Sequence, residues 1–159
     1  MARAAEVPGF AEAETFAEAA ALVVAARAAE VFAFRERALD TGDIEGVHDM
    51  RVATRRLRAA LEIFAVCFPR KPHRAVLKEV KRLADTLGER RDPDVAIESM
   101  EKIGAALGEE DRAGIATLVE ALRARQQGAN HALAEELERI ELVDLRARLE
   151  ALAIGARIR

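Results

Sequence analysis

Val47, Met50, Thr54, Leu57, Leu61, Phe64 and Phe68 follow one another at alternating steps of three and four residues. An α-helix with a narrow buried seam brings such positions onto one face, whereas a strand needs a period of two. The seam commits the middle of the chain to helix packing, and the composition extends that commitment. Only 9 Gly and 4 Pro occur among 159 residues that are 51% apolar and 33% charged. Ala, Leu, Glu and Arg favour long helices, which argues against sandwiches, barrels and disordered tails. The length suits one domain spanning 1–159 with a sizeable core. A single cysteine, Cys67, excludes an internal disulfide framework and a multi-cysteine zinc site. Charges interrupt every apolar stretch before 18 residues, and the N-terminus lacks a secretory pattern, so a soluble cytoplasmic protein is expected.

Turn signals divide the chain into an all-α antiparallel bundle of four long helices plus short ones. Helix one is expected from Phe10 to Leu39 with Leu22, Ala26, Ala29 and Ala33 on its buried stripe, and Thr41-Gly42-Asp43 ends it. Asp43 offers an N-cap for helix two, which runs to Phe68 and stops at Pro69. Helix three starts at Pro72, where proline is tolerated in a first turn, and ends at Leu87-Gly88. Arg91-Asp92-Pro93-Asp94 reads as a second break, with Asp92 capping a short helix from Pro93 to Leu107. Glu109–Ile140 and Val143–Ile154 complete the set.

The net charge of −3 hides an asymmetry. Positions 48–91 hold 12 Lys or Arg and five acids, a surplus of seven positive charges. The remainder, with 13 basic and 23 acidic residues, is −10. A basic centre in an acidic chain points to an anionic ligand held at one place. On helix two, His48, Arg51, Arg55 and Arg58 fall within roughly 80° of each other beside the seam, while Arg56 belongs to another face. Like charges at this spacing repel by roughly 0.2–0.5 kcal/mol per pair, so acids on another helix or an anion must compensate. Helix three sets Arg74, Lys78 and Lys81 along one flank of its apolar face, Leu77, Val80, Leu83, Ala84 and Leu87. Arg90 and Arg91 follow at its end. Two basic rows on antiparallel helices would form a channel, and arginine suits phosphate because its planar fork donates two parallel hydrogen bonds.

The run Val47-His48-Asp49-Met50-Arg51-Val52-Ala53-Thr54-Arg55-Arg56-Leu57-Arg58 resembles the signature of the CHAD family, the conserved histidine α-helical domain. Leu87-Gly88-Glu89-Arg90-Arg91-Asp92-Pro93-Asp94-Val95 resembles that family's Leu-Gly-x-x-Arg-Asp-x-Asp-Val turn. The resemblance implies a helical bundle with a basic central surface that binds inorganic polyphosphate. It implies ligand contacts from His48, Arg51, Arg55 and Arg58 on one wall, and from Arg74, Lys78, Lys81, Arg90 and Arg91 on the other. No Walker-type glycine loop is present and no carboxylate cluster demands a metal, so no catalytic residue, metal ligand or cofactor is assigned, and whether a divalent ion accompanies the polyanion stays open. The usual family domain is about twice this length, with two related helical halves. The chain follows the first half through roughly residue 100, so a homodimer is expected to replace the missing half, the alternative being a family fragment with weakened binding.

Two other readings stay open. A helical module can dock an acidic protein through the same basic face. Nucleic acid is disfavoured because six Phe, no Trp and no Tyr leave no stacking platform for single strands among the arginines, although a basic groove could still take a duplex. His48-Asp49 invites comparison with HD-type phosphohydrolases, but His73 and His131 stand at no ligand spacing. His73 is expected in an exposed loop, His131 on a helix surface or in the core, and Cys67 in packing.

Overall fold

The computed structural model of the protein describes residues 4–156. Among these, the regular elements are all helical: α1 (Phe16–Ala33), α2 (Arg35–Leu39), α3 (Ile44–Ile63), α4 (Arg70–Ala106), α5 (Glu109–Leu142) and α6 (Leu145–Ile154). Short 3-10 turns lie at Phe10–Glu12 and Ala65–Cys67. Helix α3 packs between α1 and α4, α4 packs along α5, and α6 closes against α1 and α4. Four long helices with short companions are what the turn signals predicted.

The expected first helix is divided. A capping box sets the start of α1, with the Thr15 hydroxyl accepting from the Glu18 amide and the Glu18 carboxylate accepting from the Thr15 amide. The helical path breaks at Phe34, and α2 follows as a separate short segment. The buried stripe of α1 is Ala17, Ala20, Val24, Ala28 and Val31, not the Leu22, Ala26, Ala29 and Ala33 expected. The segment is apolar nearly all round, so periodicity alone does not choose the buried face.

Helix α3 forms as its pattern requires. Asp43 caps it by accepting from the Gly46 amide at 3.1 Å. Val47, Met50, Thr54, Leu57 and Leu61 are buried, Phe68 is buried beyond the helix end, and Phe64 is half-buried. The Thr54 hydroxyl donates to the Met50 carbonyl at 2.8 Å, which satisfies a polar group inside the seam. Gly46 lies so close to α2 that a Cβ would overlap the Arg37 carbonyl.

The break expected at Arg91-Asp92-Pro93-Asp94 does not occur. Helix α4 runs unbroken from Arg70 to Ala106 with Pro93 buried inside it. Proline removes one backbone bond and clashes with the preceding turn, a cost of about 3 kcal/mol. Side-chain links to α5 offset that cost at the same level. Arg90 donates to Asp94 at 2.5 Å and to the Asn130 side chain at 3.0 Å, and Gln126 donates to Asp94 at 2.6 Å. Asp92 is exposed mid-helix and caps nothing.

At 37 residues α4 is about 55 Å long, against about 27 Å for the 18 residues of α1. The α4–α5 pair therefore outruns the bundle. Among residues 95–125 only Val119 is buried, so this stretch is a two-helix arm beyond the core.

A cationic strip on two antiparallel helices

The buried seam of α3 turns Arg51, Arg55 and Arg58 outward together. Arg51 and Arg55 are exposed and make no ion pair among the described residues. Arg58 donates to Glu62 at 3.1 Å, one turn on. Lys81 of α4 reaches the same Glu62 oxygen at 3.3 Å. One carboxylate thus ties a cation of each helix to a common point. The hydrogen bond from Arg58, then Lys81, holds the Glu62 carboxyl below the usual carboxylate range despite some desolvation.

On α4, Arg74, Lys78 and Lys81 lie within about 60° of one another. Arg74 and Lys78 are exposed without an acid partner among the described residues, and Asp85 bounds the row beyond Lys81. Arg70 and Lys71 are equally exposed and make no ion pair among the described residues. The proline signal starts helix three at Pro72 and leaves them outside the row, whereas α4 starts at Arg70 and places them one turn before Arg74. Arg70 and Arg74 rim a shallow hollow floored by Ala65, Val66 and Phe68.

Several acids of the bundle are engaged away from the strip. Glu136 of α5 accepts from Arg82 at 2.8 Å and from Arg139 at 2.7 Å. Burial would raise the Glu136 carboxyl, but Arg139 and then Arg82 overcome that and hold it below its ordinary value. Glu79 accepts from Arg139, whose guanidinium is pushed above its usual range. Arg37 takes Asp43 at 2.9 Å and Asp49 at 3.5 Å. Acids elsewhere in the bundle thus neutralise Arg82, Arg139 and Arg37 and leave the strip charged.

Two expected ligand residues stand apart. Arg90 has a side chain 0% exposed inside the α4–α5 interface, bound to Asp94 and Asn130, and cannot reach a surface ligand. It is a core ion pair, and the reason lies in the continuous helix, which turns Arg90 inward where a loop would have freed it. Arg91 is mostly covered, with its guanidinium 3.6 Å from the same Asp94. His48 is half-buried on the first turns of α3. Its ring and the carboxylates of Glu45 and Asp49 offer ligand atoms within 4.8 Å of one another, a grouping created by helical spacing that the sequence reading passed over. Arg37, already 3.5 Å from Asp49, competes with any cation there.

His73 corrects another expectation. It sits within α4 and is buried, with Nε2 donating to the Leu61 carbonyl at 2.8 Å and its ring stacked on Phe68. It pins the start of α4 to the end of α3. His131 lies on the surface of α5 beside Glu135, and Cys67 is buried with its thiol pushed up by desolvation.

The described residues form a helical bundle that carries exposed cations on two adjacent helices. The CHAD domain model matches residues 22–157, and the chain belongs to the CHAD family. The match runs well past residue 100, so α5 and α6 also fall within the family pattern, beyond the stretch its motifs had marked. No curated protein and no solved structure matches the chain. No helix among the described residues is long and apolar enough to cross a membrane.

Proposed function

We propose that this protein is a non-catalytic module that binds inorganic polyphosphate along the strip formed by α3 and α4, in the cytoplasm and as a homodimer. Arg51, Arg55 and Arg58 supply one row, and Arg74, Lys78 and Lys81 the other, with His48 at the α3 end. Arg70 and Lys71 extend the second row. Arg90 is left out of this set because it is enclosed. The observation that carries the reading is the contrast in pairing. Acids quench Arg37, Arg82 and Arg139 within the fold, while Arg51, Arg55, Arg74 and Lys78 stay exposed without one among the described residues. Unneutralised cations in line match a linear polyanion, which gains attraction with each unit covered and releases counterions as it binds. Membership of a polyphosphate-associated family selects polyphosphate among the polyanions.

Calorimetric titration with short and long polyphosphate chains, duplex DNA and an acidic peptide of equal charge tests this. Affinity that rises with polyphosphate length and exceeds that for DNA and peptide is expected. Equal binding of DNA would reduce the site to a general polyanion groove. Preference for the peptide would make it a protein-docking face.

A further inference from the structure

We infer that the α4–α5 arm is a self-association surface, in which α5 of one copy packs antiparallel on α5 of a second copy about a twofold axis at Leu118. This identifies the contact for the proposed homodimer and does not depend on the ligand of the cationic strip.

Two helices alone cannot bury both sides of their contact, and the arm shows the consequence. Ile103 is 46% exposed and Leu118 53% exposed. They project from one side of the hairpin. The other side is a groove lined by Ala105 and Ala116, and each of the two exposed residues lies about 160° around its helix from that groove.

The occupant follows from charge. Asp111, Leu118 and Arg125 are spaced by sevens, so they share a line within about 40° on the face of α5. All three are exposed, and neither Asp111 nor Arg125 makes an ion pair among the described residues. The line reads acid, apolar, base, and it is symmetric about its centre. An antiparallel copy centred on Leu118 sets Leu118 on Leu118, and Asp111 on Arg125 at both ends. The same register sets Gly114 opposite Leu122. A side chain added at Gly114 would meet nothing within 4 Å in the isolated chain, which leaves room for the second copy's leucine. A twofold contact needs one patch complementary to itself, and an unrelated partner would need no such symmetry.

Sedimentation of the full chain without polyphosphate tests the inference. The wild type is expected at twice 17.4 kDa and Leu118→Arg at 17.4 kDa with an unchanged helical melt. Asp111→Arg should weaken association about tenfold by placing like charges together at both ends, and Asp111→Arg/Arg125→Asp should restore it. Leu118→Cys in a Cys67→Ser background should cross-link under mild oxidation, because the axis places the two thiols together. A wild type monomeric at about 100 µM, a dimer that survives Leu118→Arg, or a charge swap that fails to restore association overturns the inference. None of these variants touches the α3–α4 strip, so the result stands apart from the outcome of the polyphosphate titration.

Discussion

Replacing Arg51 and Arg55 together with alanine isolates the strip from the fold. Both side chains are exposed and unpaired among the described residues, so the Arg51→Ala/Arg55→Ala protein should keep its melting temperature or gain slightly from reduced repulsion. Of the six cations Arg51, Arg55, Arg58, Arg74, Lys78 and Lys81, with Arg70 and Lys71 left outside the counted footprint, Glu62 cancels one and leaves a net charge of about five for a polyanion to neutralise. With a single-strand coefficient of about 0.7 per charge, log K should fall against log salt with a slope of about −3.5, or about 100-fold from 50 to 200 mM. The double variant should show a slope of about −2, or about 20-fold over the same range. At a fixed salt near 150 mM it should bind about 30-fold more weakly, at about 1 kcal/mol for each solvent-screened arginine contact. Fluorescence titration of labelled polyphosphate at several salt concentrations reads both quantities. An unchanged slope would refute the assignment of these two arginines to the ligand. Unfolding of the variant would instead assign them a structural role.

Three further outcomes follow from the ion pairs. Glu62→Gln removes the acid that engages Arg58 and Lys81, so polyphosphate binding should tighten several-fold and the salt slope should steepen by about 0.7. Arg90→Met leaves Asp94 buried without its closest cation and should cost about 3 kcal/mol in urea unfolding, while the folded variant keeps its salt slope. Glu136, held below its ordinary 4.5 by Arg139 and Arg82 in spite of burial, contributes stability that is present above pH 4.5 and is lost as pH falls through its folded value. Thermal melts from pH 7 to pH 3 should show that loss, and Glu136→Gln should flatten it.

The seam of α3 and the arginine row beside it were legible because both obey helical periodicity within one element. Val47 through Leu61 sit buried and Arg51 and Arg55 sit outside them by the same rotation. Asp43 was legible as a cap because a side-chain oxygen three residues before an amide is a local signal. What failed depended on tertiary partners. Pro93 is a reliable local breaker, yet Arg90, Asp94, Gln126 and Asn130 bridge two helices across it, and only the fold brings positions 32 to 40 apart together. The continuity of α4 in turn buried Arg90 and brought Arg70 and Lys71 into the row. His73 was misplaced for a related reason, since the carbonyl that holds it lies 12 residues away on α3. In α1 the abundance of alanine left no polar face to mark the side in contact with α3.

Arginine side-chain nuclear magnetic resonance tests the central claim most directly, because each Nε–H reports its own site. On titration with long-chain polyphosphate, the Nε–H signals of Arg51, Arg55 and Arg58 should shift together and saturate with one affinity, followed by that of Arg74. The signals of Arg90 and Arg139, enclosed by Asp94 and Glu136, should stay in place. Shifts confined to arginines outside α3 and α4, or none at saturating polyphosphate, would contradict a polyphosphate site on this strip.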